Sequence, residues 1–567
     1  MFIKYLEKKS IKLSRLIFYL LIFSLPIQTN KTIFTELSFA GNYHIFYNTI
    51  ALYLTDILFY VLIISWLVEC FLNSQSIQSF LRDLYTRIAQ DVIYKIILTF
   101  WLILAISLII SRENLDISLF GLLKITQFIL FFAYLREKIN VSRETPTQSP
   151  LYQGRETEGV FWLILASSWV QSIIAIYQYI FQKSLGLSIL GEEFLRPGLS
   201  GVAEFFSREI INPLFYNFFP YLSPVSEEIS ANIRAYGTFP HPNVLAGFLF
   251  IALIINLYLI SRETSTQSPP YSNKDKPPLH LPLTKGEKQR GSQGGEIEGV
   301  NYCETHSPIE KKRGGVVILL IFSLILVSTG LVVTFSRFIW LISAVSIVIW
   351  LILSIFRNVS RETYSVKPHL PYETKSADKL NHNLSRERYL KIILSALLFG
   401  FLFNWFFFSE AITDRVSVIR PEKYVAQYYN ADESFSQRYL FNEIALEMIK
   451  AKPSTGVGLR NFVAEMDNFS PQKLLPFQHQ PAHNIYLLIA AESGVFALAV
   501  FLIFIGTLIL RRIRVGRLKG ADYALLVMLF GFLAIGMVDH YLWTIQQGQM
   551  MLWLVLGLTS AVTREYA

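Results

Sequence analysis

Long apolar stretches alternate along the chain with polar joints, and most of them show no polar face that could meet water. A helix needs about 20 such residues to cross a hydrocarbon core of about 30 Å. Twelve stretches qualify, approximately over residues 12–27, 50–72, 92–110, 118–135, 160–181, 243–260, 315–334, 338–356, 391–408, 484–510, 521–538 and 547–563. The first is too long to be a removed signal peptide and lacks a small-residue cleavage site, so it too counts as a span. The pattern predicts an all-α polytopic membrane protein with about 12 transmembrane helices.

The polar joints differ in kind. Residues 136–159, 261–314 and 357–390 are rich in Ser, Thr, Pro, Gly and charge, and they share a degenerate repeat: SRET at Ser142, Ser261 and Ser360. Segments of that composition cannot bury a core, so they are expected to be disordered inserts without chemistry. Residues 182–242 and 409–483 are long loops of richer composition. The chain therefore divides into helices 1–4 (1–135), an insert (136–159), helices 5–6 around the loop 182–242 (160–260) and a second insert (261–314). Helices 7–8 (315–356), a third insert (357–390), helix 9 (391–408), the large loop (409–483) and helices 10–12 (484–567) follow.

Composition supports lipid as the solvent. Hydrophobic residues are 52% and charged residues 16%, and the mean hydropathy is +0.40, whereas soluble domains carry roughly 25% charge. Lysine and arginine set the orientation. With the basic N-terminus MFIKYLEKKSIK inside, the inner segments hold roughly 33 of them and the outer segments roughly 15. Both termini and the three inserts are then expected in the cytoplasm, and both long loops outside. The net charge of +9 is accounted for by that asymmetry and by anionic lipid, and it gives no support to nucleic-acid binding. Cys70 and Cys303 supply neither a disulfide framework nor a zinc site.

Chemistry is expected at the outer rim, where unusual residues collect. Arg337 stands in a very short turn, VVTFSRFIWL, between two apolar stretches. An arginine at mid-membrane costs about 2.5 to 3.5 kcal/mol and is a functional candidate by default, with snorkelling to lipid phosphate as the plain alternative. Arg234, His241 and Asn243 lie in IRAYGTFPHPNVLAGFL at the start of the sixth stretch, where a capped helix start is the plain reading. In the second loop, Arg438 opens an amphipathic stretch, Ser434–Lys450, with Leu440, Ile444, Leu446 and Ile449 near helical spacing. KPSTGVGLRNF follows, with Gly456 and Gly458 free to approach another group and Asn461 beside them. His483 and Asn484 then stand at the mouth of the tenth stretch. Arginine suits bidentate binding of phosphate, and histidine suits general-base work near neutral pH. His479, His483 and Asp539-His540 match no metal-ligand spacing, so no metal or cofactor is expected.

Taken in order, GTFPHPNVLAGFL, TFSRFIWL, Arg438 with MIKAKPSTGVGLRNF, and HNIYLLIAAESG resemble the O-antigen ligase and polymerase superfamily of bacterial envelope enzymes. The most specific element is His483-Asn484, nine residues, Gly494, which is similar to that family's H-N-x9-G signature. The resemblance covers roughly residues 160 to 510. It implies a GT-C-like membrane fold in the bacterial inner membrane and a large periplasmic loop containing helices. It also implies transfer of a glycan from a polyprenyl-diphosphate donor, undecaprenyl diphosphate in bacteria, to an acceptor hydroxyl on a glycan, lipid or protein, without metal and with inversion. Arg337 and Arg438 would hold the diphosphate and His483 would be the catalytic base. Arg234, His241, Asn243, Gly456, Gly458, Asn461 and Asn484 are the further candidates for substrate binding. The same superfamily includes proteins once proposed as inorganic-carbon transporters, so transport of a small anion such as bicarbonate is the alternative.

Overall fold

A computed structural model of the chain describes residues 2–561 apart from 75, 111–113, 142–154, 200, 208, 214–229, 266–307, 365–371, 418–430, 515–517 and 519. The first half of the helical array comprises α1 (Phe2–Phe23), α2 (Leu54–Ser74), α3 (Ile77–Gln90), α4 (Val92–Ile110), α5 (Leu115–Val141), α6 (Arg155–Phe181) and α7 (Pro242–Ser265). The second comprises α8 (Pro308–Val332), α9 (Arg337–Tyr364), α10 (Tyr372–Ser417), α11 (Ala431–Ala451), α12 (Phe462–Phe469), α13 (Ile485–Ser493), α14 (Val495–Arg514), α15 (Gly520–Gly536), α16 (Tyr541–Thr544) and α17 (Gln546–Ala561). Among the described residues nine helices are long and apolar enough to cross a membrane: α2, α4 to α10 and α14. The expected twelve would also need α1, α15 and α17, which are 22, 17 and 16 residues long.

Two kinds of apolar surface follow from the uniform stretches. Helix α7 is 94% buried over its span and is wrapped by α6, α8, α9, α10 and α15. The outer helices instead turn Ile64, Ile109, Phe322, Leu341 and Phe401 away from the protein, each more than 60% exposed. At about 25 cal/mol per Å² such surface is unfavourable in water, and in a bilayer it costs nothing. The fold is an all-α polytopic membrane protein.

Three departures from the sequence pattern matter. The tenth stretch, 484–510, is two helices, because Gly494 adopts φ +86° and ends α13 before α14 begins. The loops hold more than helices. Three two-stranded antiparallel sheets pair β1 (Asn30–Ile33) with β4 (Ile50–Tyr53), β2 (Phe39–Ala40) with β3 (Tyr43–His44), and β5 (Glu204–Ser207) with β6 (Ser230–Ile233). Helix also occupies much of the third insert, since α9 continues to Tyr364 and α10 starts at Tyr372. The central parts of the first two inserts, with Cys303, lie outside the described residues. In the amphipathic stretch Leu440 and Ile444 are buried, but Leu446 faces outward.

Candidate active site

The loops joining alternate helices meet at one end of the bundle, and the cavity there is built from five elements. The segment after β6 runs beside the turn between α8 and α9, with Arg234 N donating to Ala203 O (3.0 Å) and Ala235 N to Val333 O (3.0 Å). Its irregular backbone is buried, so its polar groups need partners. Two amides on α6 supply them. Gln178 accepts from the N–H groups of Tyr236 and Gly237 (2.9 and 2.8 Å) and donates to Gly237 O, and Gln171 accepts from Thr238 N (2.9 Å).

Helix α10 is kinked at Phe408, where φ is −128°. Asn212 donates from its side-chain Nδ2 to Phe406 O (3.0 Å) and from its backbone N–H to Phe407 O (2.8 Å). Beyond that kink the last turns of α10 bring Arg415 to the cavity. On the facing turn Phe335 adopts φ +48°, rare for an aromatic residue, and its carbonyl accepts from Arg415 Nε (3.2 Å).

The result is a cleft of about 590 Å³, part of it open to solvent, lined by Arg234, Asn243, Ser336, Arg337, Phe338, Ile339, Arg415, Arg438, Ile535, Val538 and Asp539. Four guanidinium groups thus face one carboxylate. Among the described residues, none of the four has a carboxylate within ion-pair distance. Arg438 lies over the Phe338 ring (5.4 Å) and Arg415 over Phe205 (5.9 Å). Helices α7 and α9 both begin at the cavity, so their positive dipole ends add to the field. Burial, with Arg337 and Arg438 nearby, pushes Arg234 down to about 10, and burial lowers Arg438 as well.

Asn243 ties these groups together. Its Oδ1 accepts from Arg234 Nη2 (2.7 Å) and Ser336 Oγ (2.9 Å), while its Nδ2 donates to Asp539 Oδ2 (2.7 Å). Asp539 Oδ1 accepts from the N–H of His540 (2.8 Å). Burial alone would raise Asp539, but His540, His483, His241 and Arg438 around it hold it below the ordinary carboxylate range.

His483 is reached through His540. The two rings meet edge to face at 4.8 Å, and Phe441 of α11 stacks on the other side of His483 (6.2 Å). Its Nδ1 is buried without a hydrogen-bond partner. Burial, followed by the charge of His540, holds this imidazole well below its usual pKa, so it is neutral near pH 7. His241, whose Nδ1 accepts from Asn243 N (3.2 Å), is lowered by burial and then by Arg234.

The structure thus brings together Arg234, Asn243, Arg337 and Arg438 in one cavity, with His241 and His483 behind it. Four other candidates have structural duties. Asn484 caps α13, its Oδ1 accepting from Tyr486 N and Leu487 N (2.9 and 3.1 Å). Gly456 approaches backbone, and a β-carbon there would overlap Glu492. Gly458 N donates to Glu492 O (2.8 Å), and Asn461 is buried in the turn before α12. His479 faces Asp467 (3.0 Å), away from His483. Sequence reasoning missed Arg415, seven residues past the ninth apolar stretch; its signal was an ionisable pair, Asp414-Arg415, close to a span end. It also read Asp539-His540 only as possible metal ligands.

Fold and cavity together define a polytopic membrane protein with a cation cluster at one end, suited to a polyanion. Residues 322–502 match the family model described as O-antigen ligase, so that part of the chain is similar to that family. The match supports a glycosyltransferase-like function in the bacterial envelope for a multi-pass inner-membrane protein. No curated protein matches the chain. The matched segment carries Arg337, Arg415, Arg438 and His483; Arg234, Asn243, Asp539 and His540 come from outside it.

Proposed function

We propose that this protein transfers a glycan from a polyprenyl-diphosphate donor to an acceptor hydroxyl, with the arginine cavity facing the periplasm. The observation that carries the reading is a set of four guanidinium groups with no carboxylate within ion-pair distance among the described residues, next to a neutral histidine. The donor's lipid enters from the bilayer and its diphosphate sits among Arg234, Arg337, Arg415 and Arg438. The acceptor oxygen attacks the anomeric carbon while the anomeric C–O bond breaks, and that electron pair leaves on the diphosphate. The guanidinium groups stabilise the charge that develops there. His483 takes the acceptor's proton, a contribution of typically about 10² to 10⁴-fold. Direct displacement inverts the anomeric carbon. No step needs a metal.

Anion transport is less well supported. One buried ionisable pair within the helices, Asp56 and Lys124, is locked together at 2.5 Å with Gln127 and Gln546 bonded to it.

The test is transfer by purified protein from a polyprenyl-diphosphate-linked oligosaccharide. The His483→Gln variant should lose most turnover yet still bind donor, because the imidazole acts on the acceptor proton. Wild-type-like transfer by that variant would remove the histidine from the mechanism. Reporter fusions after Gln472 should read periplasm, and fusions at Thr266 and Lys375 cytoplasm. A periplasmic signal at Thr266 would overturn the orientation and the sidedness of the site.

A further inference from the structure

Between α2 and α4 the chain does not turn back directly. It runs through α3, whose 14 residues reach about 21 Å at 1.5 Å per residue. Asp91, which joins α3 to α4, meets Arg136 and Arg511, while the far end of α4 carries Ser107, bonded to Glu492 O (3.2 Å). Helix α3 therefore lies at the end of the bundle away from the arginine cavity. Ser76 caps it, its Oγ accepting from Ser79 N (3.1 Å), and Arg87 ties its last turn to Glu137 of α5. It packs on both α2 and α4.

The side that α3 turns outward is not that of a helix in water. Ile77, Leu81 and Tyr85 follow one another at four-residue spacing, and each is more than half exposed. At that spacing they form one strip along the helix. Gln78 and Arg82 are exposed as well, and they form a second, polar strip about 100° further round the axis. Exposed apolar side chains scattered singly need no explanation, but three in line mark a contact surface.

The neighbouring helices show what meets that surface. The last turns of α2 expose Leu67, Val68 and Phe71, and α4 begins with exposed Val92. Both helices are of transmembrane length and apolarity, so their outward faces meet hydrocarbon. The apolar strip of α3 carries that exposure from the end of one span to the start of the next. Its polar strip needs water or headgroups instead. A helix apolar along one edge and polar along the next has the layout of one lying in the plane of the membrane interface. Tyr85 suits that depth, with its ring beside acyl chains and its hydroxyl among headgroups. Arg82 is long enough to reach up to lipid phosphate.

We propose that α3 is an interfacial helix, docked on the phospholipid leaflet opposite the arginine cavity. Ile77, Leu81 and Tyr85 enter the acyl boundary, and Gln78 and Arg82 face headgroups and water. Because α3 is fixed to α2, α4 and α5, it sets the depth at which the bundle sits. Nothing in this depends on the glycosyl transfer proposed above.

The experiment uses the full-length protein in phospholipid nanodiscs, one copy per disc, with Cys70→Ser and Cys303→Ser removing the native thiols. A nitroxide spin label is attached at one of Leu81→Cys, Tyr85→Cys, Gln78→Cys or Arg82→Cys. Labels at Ile64→Cys in α2 and Gln472→Cys in the large loop serve as hydrocarbon and water references. Relaxation by oxygen, which concentrates in hydrocarbon, is compared with relaxation by a water-soluble nickel chelate to give each label's depth. Labels at Leu81 and Tyr85 should lie about 5 to 10 Å below the phosphates, and those at Gln78 and Arg82 at or above them. Equal access of nickel to Leu81 and Arg82 overturns the proposal by placing α3 in water. Oxygen preference at all four positions overturns it by sinking the helix into the core. Protection of the Leu81 label from both reagents overturns it as well, since protein would then cover the strip.

Discussion

The two ends of the helical bundle treat arginine in opposite ways. At the end away from the cavity, Arg136 and Arg511 share Asp91, Arg512 pairs with Asp522, and Arg87 pairs with Glu137. Each of these four cations has a carboxylate, and Arg136 and Arg512 are almost completely buried. At the cavity, four arginines share one aspartate and reach it only through Asn243 or through space. Paired charge at one end fastens helices to each other. Unpaired charge at the other is held in place by carbonyls, aromatic rings and an asparagine, leaving its donors for something else. The same residue type serves cohesion at one end and recognition at the other.

That contrast can be broken in both directions. The largest effect is expected at the paired end: Asp522→Asn leaves buried Arg512 without its partner, a loss of about 3 to 5 kcal/mol of stability. Thermal unfolding in detergent would measure it, with transfer per folded molecule unchanged. At the cavity the sign reverses. Arg415→Lys keeps the charge but not the planar fork, so unfolding should barely move while transfer falls on the order of 10²-fold. If Arg415→Lys unfolds the protein and Asp522→Asn does not, the comparison fails.

A smaller effect follows from the histidines. His483 and His241 resist protonation in the folded protein, whereas an unfolded-chain imidazole takes up a proton near pH 6.5. Their contribution to stability is therefore complete above about pH 6.5 and shrinks as the pH falls below it. The unfolding midpoint of the ligand-free protein should drop between about pH 6.5 and 4.5, and less steeply in a His241→Gln variant. The smallest effect is expected from the second insert: deleting residues 266–307 should leave transfer within about twofold of the parent. Complete loss of activity in a correctly inserted deletion would show that the insert has a function.

Much of the fold was legible because a bilayer imposes a length on every apolar helix, and that length is written in the stretches themselves. The break at Gly494 was not legible from apolarity, since both sides of it are equally apolar; only the packing against Ser454 makes it necessary. The site was legible where an arginine interrupts a turn, as at Arg337, and hidden where one sits beyond a kink, as at Arg415. Asn243 looked like a helix start and is one, but its side chain serves the cavity. Asn484 looked like a ligand, and its Oδ1 caps α13. The short strands of the loops escaped because two to four residues carry too little alternation to register.

The broken helix has a consequence for motion. Around Gly494, Val457 N donates to Ala491 O (2.9 Å), Gly458 N to Glu492 O (2.8 Å) and Val495 N to Pro453 O (2.8 Å), so the loop and the helix form a lap joint. A β-carbon on Gly456 or Gly494 would prise it open. Ser107 of α4 bonds to both halves, at Thr455 O (3.1 Å) and Glu492 O (3.2 Å). The stretch from Pro453 to Val495, with His483 in it, is thus clamped at both of its ends to the same helical frame. It has lost the hinge that a lid requires. The candidate base has a fixed address, and it is the substrates that must travel to it.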